Sequence, residues 1–241
     1  MGMTTSPEGF QGYMEMVAGH LDNLFIYTDD LLSMGKGPGK SLDLLEDLFE
    51  VLGSNNIKIN MEKTLLCVNS VKYVGFEIGQ LGIQPNKEKV EGIMTIPIPR
   101  TVKDIRSILG ALSFYRRFIP GLASLLAPLA ELTGKKKKFE ITNDHIQRLE
   151  EAKELLAKRC LLYYPDYDKM FYVHTDASEY GVGGQIFQLD DNNVPLPVYF
   201  YSRKFSKIQL RYTVVEKEAL AFIAILELCY MVLKFLYVQT I

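Results

Sequence analysis

The segment LFIYTDDLLS, residues 24–33, constrains the fold of this chain more than any other stretch. Two adjacent aspartates, Asp29 and Asp30, follow a run of β-forming residues and precede a second apolar pair. This pattern predicts two short strands joined by a tight turn, with both arms buried and the carboxylates at the tip. From the residues alone two interpretations stay open: a solvated turn, or half of a metal site that needs carboxylates on a rigid hairpin.

Signals around this hairpin indicate an α+β module in the first third of the chain. Residues 10–22 favour a helix that ends before the first strand. Beyond a glycine-rich loop, leucines recur at helical spacing and predict a second helix that Ser41 caps and Gly53 ends. The alternating residues 71–83 predict a β-hairpin that turns at Gly79.

After residue 86 the pattern changes, first to helices and then to strands. Residues 99–132 hold two helical segments that separate near Pro120 and Gly121, and a further helix follows at 143–162. Strands and hairpins are predicted next, and the last helix leads into β-like sequence at 235–241. We therefore divide the chain into three parts: 1–84, 85–165 and 166–241.

Composition excludes several classes of protein. Apolar residues make up 48% of the chain and charged residues 23%, which is typical of a globular protein and not of a disordered one. The net charge of −2 makes an overall basic nucleic-acid binder less expected, although a local basic face can serve the same purpose. Three isolated cysteines and three scattered histidines offer neither a zinc spacing nor a disulfide framework.

One apolar stretch, residues 219–238, is about long enough to span a bilayer. Glu227 and Lys234 interrupt it, and each costs a few kcal/mol at the centre of a membrane. A buried helix followed by a buried strand explains the same residues, so we expect no membrane association.

Several motifs together resemble the polymerase of a known family. YTDD between apolar residues resembles the Tyr-x-Asp-Asp motif of reverse transcriptases. The segments that resemble other parts of these polymerases are SPEGFQ at 6–11, NMEKT at 60–64 and the primer-gripping hairpin YVGFEI at 73–78. Residues 109–132 resemble the thumb of gypsy-type LTR retrotransposon polymerases, and residues 174–188 and 199–221 resemble the ribonuclease H domain that follows.

The resemblance implies an α+β fold in three parts. They are a partial reverse transcriptase palm at 1–84, thumb and junction helices at 85–165, and a partial ribonuclease H-like α/β domain at 166–241. It implies RNA-directed DNA polymerase and ribonuclease H activity by two-metal-ion phosphoryl transfer, with Mg²⁺ or Mn²⁺. The implied partners are an RNA/DNA template–primer, an RNA–DNA hybrid, deoxynucleoside triphosphates and the rest of the Pol polyprotein. The implied location is a cytoplasmic particle or the nucleus.

Carried over to this sequence, the resemblance assigns four catalytic metal ligands. Asp29 and Asp30 match the polymerase aspartates, and Asp176 matches the first nuclease carboxylate. Glu218 matches the nuclease helix glutamate, because the apolar spacing after it fits better than the spacing after Glu216.

It also implies substrate contacts for several other residues. Gln11 would touch the incoming nucleotide, Tyr27 would lie near the primer terminus, and Gly75 would let the backbone approach the primer. Basic residues predicted to contact phosphate or pyrophosphate are Lys63, Arg116 and Arg117. A solvated surface position explains Gln11 and these basic residues as an alternative, and the run Lys135–Lys138 is more typical of a solvated loop.

The match departs from the family at both ends. The family's first polymerase aspartate lies before the SPEGFQ segment, and its third nuclease carboxylate lies at or beyond Ile241. We therefore expect these 241 residues alone to be inactive, because charge neutralisation by a complete site supplies much of the catalysis. The alternatives are a catalytically dead nucleic-acid-binding module and a translated relic.

Overall fold

The computed structural model describes residues 6–35, 37–134 and 139–237. Helices and antiparallel sheets are both present, which confirms the predicted α+β class. By their internal contacts the residues form two compact units. The first comprises the residues up to Val74 together with those after Lys234, and the second comprises Gly75–Lys234. The boundaries predicted at residues 84 and 165 remain predictions, because one compact unit can contain two domains of different origin.

The described residues up to Val74 form two helices and three short strands of the first unit. A core of apolar side chains joins its helices to the hairpin, and its buried members are Met14, Val17, Ala18, Leu48 and Leu52. The elements are α1 (Ser6–Ala18), β1 (Leu24–Tyr27), β2 (Asp30–Ser33), α2 (Pro38–Ser54) and β3 (Ser70–Tyr73).

The predicted hairpin at residues 24–33 is confirmed, whereas both helix starts differ from the prediction. Helix α1 begins at Ser6 instead of residue 10 and ends at Ala18. Helix α2 begins at Pro38, whose missing N–H is no loss in a first turn. Ser41 is therefore not its cap: the Ser41 hydroxyl donates to the Gly37 carbonyl over 2.9 Å.

The second unit begins with the antiparallel strands β4 (Phe76–Gly79) and β5 (Gly82–Pro85), which confirm the turn predicted at Gly79. The expected longer strand is interrupted because Val74 and Gly75 both have positive φ, 45° and 81°. Strand β6 (Leu162–Tyr163) pairs antiparallel with β5. The helices between are α3 (Lys87–Met94), α4 (Val102–Phe114), α5 (Leu122–Glu131) and α6 (Asn143–Ala157), with a 3₁₀ turn at Arg116–Phe118.

These helices form the largest core of the chain, and the break predicted near Pro120 and Gly121 is confirmed. Thr101 caps α4 in a reciprocal arrangement with Asp104. The fully buried side chains of this core include Ile108, Leu112, Phe118, Ile119, Leu122, Leu129, Leu149 and Leu156.

A three-stranded antiparallel sheet and a long helix, up to Lys234, complete the second unit. The strands β7 (Tyr172–Ala177), β8 (Gly181–Leu189) and β9 (Pro195–Lys204) lie in the order β7-β8-β9. Helix α7 (Val214–Tyr237) covers one face, with Ile225 lying directly over Gly184. The β-like prediction for 235–241 is wrong at 235–237, since no glycine or proline interrupts the helix there, and 238–241 lie outside the described residues.

Among the described residues, no helix is long and apolar enough to cross a membrane.

Candidate functional site

The tip of the β1–β2 hairpin presents both predicted polymerase aspartates. Tyr27 pairs with Asp30, so Thr28 and Asp29 alone form the loop between the strands. Both aspartates are exposed. Because Tyr27 and Asp30 are a cross-strand pair, their side chains leave the hairpin on the same face. The structure thus brings together three of the residues predicted from sequence.

The loop residue Thr28 adopts an unusual backbone conformation. Its φ is +49°, whereas Asp29 does not have positive φ. Positive φ at the first loop position alone is the pattern of a type II′ turn, where glycine is the ordinary choice. A β-branched residue in this region costs about 1–3 kcal/mol and persists only where its surroundings hold it. The Thr28 hydroxyl also donates to Asp29 Oδ1 over 2.9 Å.

Gln11, on the neighbouring helix α1, holds this loop through its side-chain amide. The amide oxygen accepts from the Thr28 backbone N–H over 2.6 Å. The amide nitrogen donates to the Ile26 carbonyl over 3.3 Å and to Glu15 Oε1 over 2.6 Å. Both donors of Gln11 are therefore engaged, and its contact with an incoming nucleotide remains a prediction.

Tyr73, at the end of β3, lies close to the hairpin tip, and the sequence did not single it out. Its hydroxyl donates to the Phe25 carbonyl over 3.3 Å. Burial raises the Tyr73 pKa above its ordinary value, and the nearby charge of Asp30 and the Tyr27 phenol raise it further. The sequence signal that could have identified Tyr73 is its position as the first residue of the segment YVGFEI. Tyr27 itself is 54% exposed, which suits its predicted place beside a primer terminus.

Lys63 and Gly75 have different surroundings from each other. Lys63 is exposed in a turn after α2, where its backbone N–H donates to the Asn60 carbonyl over 3.1 Å. Position 75 favours glycine for two reasons. Its φ is positive, and a Cβ added there would lie 3.2 Å from the Phe114 ring. Its carbonyl accepts from the Tyr115 hydroxyl over 3.0 Å. Substrate contacts for both residues remain predictions.

The two thumb arginines are not equivalent. Arg116 is exposed, whereas the Arg117 guanidinium lies 4.6 Å from the centre of the Phe76 ring and 5.1 Å from that of Phe118. Burial lowers the Arg117 pKa below its ordinary value. Phosphate contact remains a prediction for both, and Arg116 is the one that faces solvent. The lysine run at 135–138 lies outside the described residues.

The predicted nuclease carboxylates lie on the sheet edge and on the covering helix. Asp176 is exposed on the outer strand β7, opposite Gly183 of β8. Glu218 is exposed in the second turn of α7. Glu216 accepts from the Thr213 backbone N–H over 2.8 Å and from its hydroxyl over 2.9 Å. Glu216 thus caps the start of the helix, and the assignment of Glu218 as the nuclease residue remains a prediction.

The donor type at both sites suits a hard cation, since carboxylate oxygens are the ligands that Mg²⁺ prefers. In the part of the chain that the structure describes, no group of three or more histidine, cysteine, aspartate or glutamate side chains converges on one point.

Two families match different parts of the chain. Residues 1–78 match the family described as reverse transcriptase (RNA-dependent DNA polymerase). Residues 141–238 match the RNase H-like domain found in reverse transcriptase.

Curated relatives match over nearly the whole chain. The transposon Tf2-3 polyprotein of Schizosaccharomyces pombe is 31% identical over 224 residues, which are 92% of this chain and 17% of the polyprotein. The Tf2-7 polyprotein of the same yeast is 30% identical over the same shares. The chain therefore spans about a sixth of the length of these relatives.

Solved structures of similar fold come from a foamy virus. Its protease–reverse transcriptase in complex with double-stranded DNA superposes with a TM-score of 0.77 at 26% identity, covering 95% of this chain and 40% of that one. A second structure, with an RNA/DNA hybrid, gives a TM-score of 0.76 at 26% identity and covers 96% and 32% of the two chains.

Proposed function

Because the chain belongs to the reverse transcriptase and ribonuclease H family of gypsy-type retrotransposon polyproteins, we propose that it carries the catalytic hairpin of an RNA-directed DNA polymerase and part of a ribonuclease H site. The observation that carries this proposal is the exposed pair Asp29 and Asp30 at the tip of a two-residue antiparallel turn, within the segment that matches reverse transcriptases.

In the polymerase, Asp29 and Asp30 hold divalent cations, Mg²⁺ or Mn²⁺. When bound, such ions stabilise the charge on the attacking and leaving oxygens during nucleotidyl transfer. The short loop keeps the two carboxylates adjacent despite their repulsion, and Tyr27 offers an exposed ring beside them. The chain corresponds to only 17% of the related Tf2-3 polyprotein, so we infer that segments outside this part supply the remaining ligands.

In the nuclease, Asp176 and Glu218 are the ligands of the same class of cation. The nuclease substrate is the RNA strand of an RNA–DNA hybrid. Template–primer and deoxynucleoside triphosphates are the polymerase substrates. Support for duplex partners comes from the foamy virus relatives, which were solved on double-stranded DNA and on an RNA/DNA hybrid.

The test compares carboxylate-to-amide substitutions in the enzyme that contains this segment within its polyprotein. Asp29→Asn and Asp30→Asn should each lower primer extension by at least about 100-fold while hybrid degradation persists. Glu218→Gln and Asp176→Asn should do the reverse. Matched controls are Asp22→Asn and Glu227→Gln, two exposed residues in the first unit and on α7. Loss of both activities together in a folded variant would contradict the two-site assignment.

Duplex binding without catalysis is a second candidate function. It is favoured by the similarity in fold, over nearly the whole chain, to enzymes solved on nucleic acid. The 241-residue chain should then bind an RNA–DNA hybrid with an affinity that falls steeply as salt rises, because phosphate contacts release counterions. Asp29→Asn should leave that affinity intact, whereas absence of binding by a monodisperse sample at low salt would exclude this function.

A further inference from the structure

We propose that Gln11 and Glu15 form a positioning clamp that fixes the loop carrying Asp29, an inference that rests on the proposed polymerase function. Both clamp residues lie on α1, one helical turn apart, and Gln11 faces the hairpin. The clamp reaches the loop through the 2.6 Å bond from the Thr28 N–H to Gln11 Oε1. Neither residue needs to touch substrate for this role.

The loop of Thr28 and Asp29 needs a stabilising contact from outside the hairpin. Thr28 sits at φ +49°, a region that β-branched residues rarely occupy. The ladder pairs Tyr27 with Asp30, so the Thr28 N–H points away from the strand pairing and finds the Gln11 amide. Any relaxation of Thr28 would move the adjacent Asp29, whose Oδ1 accepts from the Thr28 hydroxyl.

Glu15 decides which end of the Gln11 amide meets the loop. An ionised carboxylate only accepts hydrogen bonds, and so does the Ile26 carbonyl. Both therefore require the NH₂ group of Gln11, which donates to each of them. A flipped amide would place its oxygen against two acceptors and its NH₂ against the Thr28 N–H. The Glu15 carboxylate thus orients the Gln11 oxygen toward Thr28.

This geometry predicts a kinetic signature. Since both Gln11 donors are engaged, its loss should misplace the aspartate loop and lower kcat, with little change in the KM for nucleotide. A direct nucleotide contact would instead raise that KM. The clamp also predicts suppression: glycine at position 28 accepts positive φ without help, so Thr28→Gly should restore activity to a clamp-deficient enzyme.

The first experiment measures hydrogen exchange of the Thr28 amide by NMR in the 241-residue chain. We expect Gln11→Met to abolish its protection and Glu15→Leu to reduce it, while Glu15→Gln, which retains an acceptor oxygen, keeps most of it. Glu15 is exposed, so its substitutions spare the core. The matched control is Glu8→Gln, on the same helix and also exposed. Unchanged Thr28 exchange in Gln11→Met and Glu15→Leu would overturn the clamp.

The second experiment measures primer extension by the polyprotein-derived enzyme. Gln11→Met should lower kcat about 10- to 100-fold with the nucleotide KM within about twofold, and adding Thr28→Gly should recover most of the loss. A raised KM with unchanged kcat would overturn the clamp in favour of direct contact. If the unsubstituted enzyme fails to extend a primer, the proposed function fails, and the exchange experiment still decides whether the clamp exists.

Discussion

At the scale of single residues, Tyr73 reports the charge at the hairpin tip. Its pKa is raised by burial, then by the Asp30 carboxylate and the Tyr27 phenol. Removing the charge of Asp30 removes one of these contributions, so Asp30→Asn should lower the Tyr73 pKa. The raised pKa keeps the phenol protonated further into alkaline pH than an ordinary tyrosine, so its hydroxyl continues to donate to the Phe25 carbonyl there.

The change in the Tyr73 pKa can be followed by NMR titration of protein labelled with ¹³C-tyrosine. The spectrum resolves Tyr73 from the other 13 of the 14 tyrosines in the chain. Asp29→Asn is the matched control, since Asp29 is not among the groups that raise this pKa. Equal shifts from the two variants would contradict the arrangement of Asp30 beside Tyr73.

Sequence reasoning located the aspartates but not the hydrogen bonds that hold them. A pair of carboxylates between β-forming runs is a local pattern, and local patterns can be read from sequence. The bond from Thr28 to Gln11 depends on how α1 packs against the hairpin, which no local pattern encodes. The same holds for Arg116 and Arg117, because a single step along a 3₁₀ turn decides which side chain is covered by aromatic rings.

At the scale of elements, the contact between α7 and the sheet depends on one glycine. Ile225 and the His174 carbonyl occupy the space that a Cβ on Gly184 would need. Gly184→Ala should therefore destabilise the second unit by about 1–3 kcal/mol, the usual cost of overpacking. Urea unfolding measures this free energy.

Gly183 provides the control on the same strand. A Cβ there would find its nearest neighbours at 3.9 and 4.0 Å, which is ordinary van der Waals contact. Gly183→Ala should thus cost much less than Gly184→Ala, and Ile225→Val should recover part of the loss in the Gly184→Ala background. Equal costs at the two glycines would mean that α7 does not pack on β8 at Gly184.

A hydrogen-bonded carboxylate at the start of α7 should make the stability of this helix depend on pH. Hydrogen bonds from the Thr213 backbone N–H and hydroxyl hold the Glu216 pKa below its ordinary value of 4.5. A lowered folded-state pKa gives stability that is fully present above the unfolded value and is lost as pH falls through the folded one. Glu216→Gln should flatten this loss below pH 4.5.

Urea midpoints at about pH 6 and about pH 3 would measure the effect as a difference for each variant. Thr213→Ala removes the hydroxyl donor but keeps the backbone N–H, which is the larger cause of the lowered pKa, so it should flatten the difference only in part. An unchanged acid loss in both variants would assign the pH dependence to other carboxylates.

Helix and strand types were largely predictable, whereas helix starts were not. The α2 leucines recur at helical spacing, so the element was recognised, yet Ser41 and Pro38 both satisfy rules for a first turn. Only the backbone decides between them. The β-forming residues at 235–237 predicted a strand. They instead continue the helix α7, which has no interruption before them.

At the scale of the whole molecule, the two units should unfold separately. Their cores are separate: Leu52 belongs to the core of the first unit and Leu112 to the largest core of the second. Leu52→Ala and Leu112→Ala should each cost about 2–5 kcal/mol, and each should shift only the transition of its own unit. Hydrogen exchange during denaturant titration would assign the transitions, and a single cooperative transition shifted by both variants would contradict this.

The division into units was the least predictable feature of the fold. The sequence pattern changes near residue 86, but the compact second unit already begins at Gly75. Strand β4 joins that unit through contacts with distant residues: Arg159 bonds Glu77 over 2.5 Å across 82 positions. Such long-range partners leave no trace in a local window of sequence.

The pairing of β5 with β6 also bears on how the chain folds while it is being synthesised. Gly82 and Ile83 find their strand partners, Tyr163 and Leu162, only after about eighty further residues have left the ribosome. The hairpin with Asp29 and Asp30 closes within its own ten residues and can form early. Until β6 emerges, β5 has an open edge, and this interval is when the nascent chain is most exposed to aggregation and chaperone capture.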